Sequence, residues 1–238
     1  MCFACRKSGI DRRKFCSLTG GGIAAAGLFG GRRAFAAAPT TTVTADEAIA
    51  RLQIGNQKYV SAPELCAVDI SKRRGEVAPA QTPWAAILTC SDSRLPPELL
   101  FGGLGIGELF VARNAGNMAD TATMGTIEYG VEHLGVPLVV VMGHERCGAV
   151  AAACAVVEKH ATFPGSIGPM VNAIVPAAQA EFGKPGDFVD NTVRESAKRT
   201  AAKVANESEI VAHLIKDNKV KVLAARYDLE NGQVEYLN

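Results

Sequence analysis

Leu138-Val139-Val140-Val141-Met142 is an unbroken apolar run, followed at once by Gly143-His144-Glu145-Arg146-Cys147-Gly148. A half-buried strand alternates apolar and polar residues. This run has no polar face, the pattern of a central parallel strand covered on both sides. Two further short apolar runs, Trp84–Thr89 and Glu108–Ala112, read as strands of the same kind. Thr121–Leu134 reads as the crossover helix between the second and third runs, ending near Gly135, and another helix is expected from Cys147 to about Lys159. Strands alternating with helices imply a parallel sheet with right-handed crossovers.

Outward from this centre the pattern continues. Helices are predicted over about 166–182 and 187–205, then a shorter one capped by Ser208. Val220–Tyr227 alternates like a strand, and Asn231-Gly232 between Tyr227–Leu229 and Gln233–Leu237 signals a C-terminal edge hairpin. Towards the N-terminus, Thr44-Ala45-Asp46-Glu47 is a capping box that opens a helix running to about residue 60. Residues 61–82, with Pro63, Pro79 and Lys72-Arg73-Arg74, predict a surface segment with one helical turn. No internal repeat is visible. The expected fold is a single α/β domain over residues 39–238, a mainly parallel sheet flanked by helices.

Composition agrees with a folded domain: 48% of residues are hydrophobic and 21% charged. The net charge of +1 hides an asymmetry. Residues 1–36 hold Arg6, Lys7, Arg12, Arg13, Lys14, Arg32 and Arg33 against Asp11 alone, leaving 18 basic and 23 acidic residues in the remainder. A mildly acidic body is not built to bind phosphate backbones, so no nucleic-acid partner is expected. The basic head has the layout of an export signal over residues 1–38. A twin-arginine pair at 12–13 is followed by Phe15, then by a weakly apolar Gly/Ala-rich stretch and small residues near Ala34–Ala38. The stretch is too short and too weak for a stable membrane span. The expectation is a periplasmic or exported protein, with a cytoplasmic one as the alternative. Of seven cysteines, three fall in this head, and the remaining four are too scattered for a disulfide framework.

Chemistry gathers at strand ends. Cys90-Ser91-Asp92-Ser93-Arg94 follows the first strand, and His144-x-x-Cys147 follows the third. In open parallel sheets functional groups collect at the carboxyl ends of strands, so neighbouring strands can join Cys90 to His144 and Cys147. Two thiolates and one imidazole make a zinc site with one tetrahedral position open, the mark of a catalytic metal. Asp92 and Arg94, two residues apart, point the same way and can pair beside it. On this reading Arg94 holds Asp92 off the metal, and the carboxylate accepts a hydrogen bond from metal-bound water. The ordinary alternatives are a surface ion pair and two cysteines that merely fill space.

Cys90-Ser-Asp-Ser-Arg94, Arg113-Asn-Ala-Gly-Asn117 and Gly143-His-x-x-Cys-Gly148, in this order, resemble the beta-class carbonic anhydrases. The likeness covers roughly residues 45–230. It implies an α/β fold in homodimers or higher homo-oligomers, with an N-terminal arm helix embracing the neighbour and the active site at the interface. It implies one Zn²⁺ per chain on Cys90, His144 and Cys147, with Asp92 and Arg94 as the catalytic dyad. Gln81 matches the family's substrate-binding glutamine, and Phe110, Ala115 and Tyr129 fall where that family lines an apolar pocket for carbon dioxide. The implied reaction is reversible hydration of carbon dioxide to bicarbonate and a proton by water activated on the metal. Hydrolysis of carbonyl sulfide or carbon disulfide at the same site is the alternative, and a non-catalytic zinc-binding module a third reading. Two departures are visible. Ile87 stands where the bicarbonate-regulated branch resembles tryptophan, which predicts an open, constitutively active site. Glu145 and Arg146 stand where small or less charged residues are frequent, a change expected to bear on access to the metal and not on its coordination.

Overall fold

A computed structural model describes residues 40–65 and 70–237. The basic head read as a leader and Cys66 lie outside the described residues. Helices α1 (Ala45–Ser61), α2 (Ile70–Val77), α3 (Pro97–Leu100), α4 (Thr121–His133), α5 (Gly148–Lys159), α6 (Ile167–Asn172), α7 (Val175–Glu181), α8 (Phe188–Glu207) and α9 (Glu209–Lys216) surround one sheet. Its strands are β1 (Ala85–Cys90), β2 (Leu109–Asn114), β3 (Leu138–His144), β4 (Lys221–Tyr227) and β5 (Val234–Leu237), in the order β2-β1-β3-β4-β5. The first four in that order are parallel, and β5 closes the edge antiparallel to β4. Among the described residues no helix is long and apolar enough to cross a membrane.

The central run behaves as its composition demands. Every residue of β3 is buried. Val139 and Val141 pack with Ile127 and Val131 of α4 and Ala197 and Val204 of α8. Leu138, Val140 and Met142 face the other way, against Ala48 and Leu52 of α1 and Phe101 after α3. Each such side chain contributes roughly 1.5–3 kcal/mol by leaving water, so a polar residue on either face is disfavoured. The sheet is thus a middle layer, and both covering layers leave its carboxyl edge for function.

The capping box forms as expected. The Glu47 amide donates to Thr44 Oγ1 at 3.3 Å, and Glu47 Oε2 accepts from the Thr44 amide at 2.8 Å. Helix α1 lies on its own sheet, where buried Asn56 donates to the carbonyls of Leu100 and Gly232 and accepts from the Val234 amide. Ile54 on its other side is 67% exposed.

Four boundaries differ from the sequence reading, each for a local reason. The helix predicted over 166–182 is two helices, α6 and α7. Pro176, in the first turn of α7, brings no amide for a preceding turn to use. The surface segment after α1 holds a 3₁₀ turn, Pro63–Leu65, and the two turns of α2 where one was expected. The Asn231-Gly232 hairpin forms with a longer connection: Asp228 Oδ1 accepts from the amides of Glu230 and Asn231, and the Asp228 amide donates to Gln233 O at 2.9 Å. Finally, β1, β2 and β3 run on to Cys90, Asn114 and His144. Two of the chemically important residues are therefore the last rungs of the ladder and not the loops beyond it.

Candidate metal centre

Strands β1 and β3 are adjacent and parallel, with Thr89 opposite Met142, so Cys90 and His144 leave the same edge of the sheet side by side. Gly143 lets α8 come close: a Cβ there would meet Val193 Cγ1 at 2.9 Å. After His144 the chain must reverse into α5. Arg146 makes the bend in the left-handed region, φ 54°, a conformation that costs a non-glycine residue about 1 kcal/mol. Strain of this kind collects at working sites. Cys147 then sits at the N-cap of α5.

The result is a group of three buried ligand atoms from Cys90, His144 and Cys147, all within 4.8 Å of one another. Cys90 Sγ and Cys147 Sγ are 3.9 Å apart. Two sulfurs bound at about 2.3 Å in a tetrahedron stand about 3.8 Å apart, so the spacing fits zinc. His144 Nδ1 lies 2.9 Å from Glu145 O, which only accepts, so Nδ1 carries the proton. Nε2 is left with its lone pair, buried and without a partner. Among the described residues it shares that state only with Asn117 Nδ2 and Tyr236 Oη. An orphaned imidazole nitrogen beside two thiols calls for a cation, and the donor set is one that zinc takes.

The thiols answer to each other. The hydrogen bond shared with Cys147, helped by the Gly116 amide at 3.5 Å, draws the Cys90 thiol well down against the opposing effect of burial. Cys147 is pushed up, first by its bond to that anion and then by burial, while the opening amides of α5 at Ala149 and Val150 pull the other way. The pocket therefore accepts one negative charge readily and resists a second until a dication arrives to share it.

Asp92 and Arg94 form the pair the spacing predicted. Arg94 Nε donates to Asp92 Oδ1 at 2.9 Å and Nη2 to Oδ2 at 2.7 Å, and the Arg94 amide adds a bond to Oδ1 at 3.0 Å. These bonds hold the carboxyl well below the usual carboxylate range, though burial opposes them. Oδ2 stands 3.9 Å from His144 Nε2, close to the three ligands but committed to Arg94.

What holds this loop comes from a distant strand and has no local signal in the sequence. Arg113, on β2, donates from Nε to Cys90 O at 3.0 Å and from Nη2 to Asp92 O at 2.6 Å. Asn114 closes its own loop by donating to Met118 O and Thr123 Oγ1 and accepting from the Met118 amide. That loop presents the Gly116 amide to Cys90, at φ 82° and with Ile174 Cδ1 only 2.6 Å from where a Cβ would stand. The motif at 113–117 supplied a resemblance, and its separate jobs become visible only when β2 pairs with β1.

The four residues expected to line a substrate pocket are scattered within one chain. Gln81 is exposed, in the coil before β1. Phe110 and Tyr129 lie together, ring centroids 6.2 Å apart, with Tyr129 49% exposed and also against His133 at 5.2 Å. Phe110 packs on the layer with α4, whereas Cys90 and Cys147 belong to a separate cluster with α5 and Ile174. Ala115 lines a cavity of about 630 Å³ with Met118, Met170 and Ala173. Cys154 is a free buried thiol 3.4 Å from Thr192 Oγ1.

An open parallel sheet carrying a buried two-thiol, one-imidazole group with an ionised carboxylate beside it defines a class: α/β zinc enzymes with an open metal position. The match is specific. Residues 85–234 match the carbonic anhydrase family, and the chain belongs to it. It is 32% identical over 184 residues to a carbonic anhydrase of Mycolicibacterium smegmatis, covering 77% of this chain and 89% of that one. Carbonic anhydrase 2 of Mycobacterium tuberculosis is 32% identical over 183 residues, covering 76% and 87%. Among solved structures, a tetrameric beta-carbonic anhydrase of Sordaria macrospora superposes with a TM-score of 0.61 at 25% identity, covering 69% of this chain and 85% of that one.

Proposed function

We propose that this protein catalyses the reversible hydration of carbon dioxide to bicarbonate and a proton, with zinc held by Cys90, His144 and Cys147. The observation that carries the reading is the partnerless Nε2 of His144, buried beside two sulfurs at the spacing zinc requires. Zinc bound there supplies a Lewis acid that lowers the pKa of a water in its open position to about 7. The protein's own groups do the rest. Arg94 fixes both oxygens of Asp92, so the carboxylate stays ionised at neutral pH and accepts a hydrogen bond only from an atom that bears a proton. Arg113 keeps the carbonyls on either side of Ser91 in place, which sets the distance between the cysteine ligand and that carboxylate.

We assign Gln81, Phe110, Ala115 and Tyr129 to the substrate side of the site. The half-exposed Tyr129 and the exposed Gln81 support a homodimer or larger homo-oligomer in which a neighbouring copy covers them, and the relative from Sordaria macrospora is described as tetrameric. Residues 1–38 are proposed as an export leader of the twin-arginine type, on the strength of Arg12-Arg13 and the small residues near Ala38. The test is stopped-flow hydration of carbon dioxide by the purified protein, with zinc counted per chain. Turnover at one zinc per chain is expected. Zinc without turnover favours a binding module, and faster turnover of carbonyl sulfide or carbon disulfide moves the substrate. Fractionation of cells tests the leader.

A further inference from the structure

We propose that Glu145, in the first place between the two ligands of the His144–Cys147 turn, is a positioning residue for the metal. Its carboxylate ties the turn to the connection between β4 and β5, and so fixes the carbonyl that orients His144. The inference rests on the zinc reading above.

Metal binding at this turn depends on where the His144 imidazole points. Its Nδ1–H is directed by a single acceptor, Glu145 O at 2.9 Å, and that bond aims Nε2 at the cysteine sulfurs. Where the carbonyl points depends on the peptide joining Glu145 to Arg146. That peptide enters a left-handed residue, a place where the backbone has no helix or strand to hold it. Two anchors on Glu145 do so instead. Its amide donates to Tyr227 O at 2.9 Å, which extends the β3–β4 ladder by one rung. Its Oε2 accepts from the Leu229 amide at 3.1 Å and from Arg146 Nη2 at 3.3 Å. The side chain is only 19% exposed, so the bond to Leu229 is partly shielded from water. Arg146 reaches on to Glu230 at 3.0 Å, but its own side chain is 55% exposed and that pair adds little.

A smaller side chain at 145 keeps the backbone rung and loses the tether. Groups that orient a ligating histidine from behind typically change metal affinity by 10–100-fold. The experiment measures the zinc dissociation constant of the full chain by competition with a chromogenic chelator. The absorption of the cobalt(II)-substituted protein and the melting temperature of the zinc-free protein are read alongside. Glu145→Ala is expected to weaken zinc about 10–100-fold and to shift the cobalt ligand-field bands. Glu145→Gln, whose amide oxygen still accepts from Leu229, is expected to restore affinity to within about threefold of the parent, and Arg146→Ala to stay in that range. A role in folding alone lowers the zinc-free melting temperature and leaves the cobalt bands unmoved, which overturns the proposal. So does a Glu145→Ala constant within threefold of the parent, or a Gln variant no better than Ala. If the Ala variant does not fold, Glu145→Asp carries the test: it keeps the charge but draws the carboxylate back by one methylene, and a parent-like constant sinks the idea. Failure of the functional reading shows separately, as a parent chain that binds zinc tightly and does not turn over. A parent that binds no zinc overturns both.

Discussion

Two polar clusters sit at the carboxyl side of the same sheet and are built in opposite ways. Around Arg226 on β4, every charge is matched. Its Nε donates to Asp190 Oδ1 at 2.7 Å and Nη1 to Asp228 Oδ2 at 2.9 Å, while Arg194 takes Asp190 Oδ2 at 2.9 Å and Glu235 at 2.8 Å. Around His144, two thiols share one proton donor and an imidazole nitrogen has no partner. Burial is comparable, for Arg226 is 9% exposed and His144 fully buried. The difference is satisfaction. A buried polar network with every member bonded holds a structure together, and one left short of a partner is shaped for something that arrives later.

That contrast can be broken by measurement. The largest effect is expected from Cys147→Ala, which should remove zinc and hydration activity together while the zinc-free chain stays folded. Metal analysis showing full zinc in this variant would refute the ligand assignment. Next, Arg226→Leu removes the partner of Asp228 Oδ2 and strips Asp190 of one of its two arginines. A loss of about 2–3 kcal/mol in denaturant unfolding is expected, with zinc content unchanged. Loss of zinc instead would mean that the two clusters are one. Asp92→Asn should keep the metal and lower the hydration rate by about 10–100-fold, the usual cost of disturbing a group that orients a metal's ligand sphere. An unchanged rate constant would make the pair with Arg94 ornamental.

The smallest effect concerns pH. Asp92 is held below the ordinary carboxylate range by Arg94, so the pair contributes stability above the unfolded value of about 3.9 and loses it as pH falls through the lower folded one. Carboxylate carbon NMR should therefore show Asp92 ionised from about pH 8 down to about pH 4. Arg94→Gln should raise its midpoint towards the ordinary range. A midpoint above pH 5 in the parent would show that Arg94 does not command the carboxylate.

Legibility in the sequence followed the range of the forces involved. Thr44 and Glu47 are three residues apart and satisfy each other within one turn, so the capping box could be read directly. Asp92 and Arg94 are two apart, and their pairing was equally visible. The split of α6 from α7 was written in Pro176, whose missing amide the single helix expected over 166–182 did not take into account. Glu145 was taken for a residue affecting access to the metal. Its carboxylate also accepts from the Leu229 amide, 84 residues away, a partner no local pattern reveals.

By itself the sequence determined the layered α/β fold, because a run with two apolar faces is stable only between two layers. It also determined which atoms can hold zinc, because ligand chemistry belongs to the residue type. Only the tertiary structure decided that Cys90 and Cys147 stand 3.9 Å apart, that Arg113 pins the loop between Cys90 and Asp92, and that Nε2 of His144 is the nitrogen left free. Those are consequences of strand register and of which carbonyl lies nearest in space, and both are settled when distant segments of chain pack against one another.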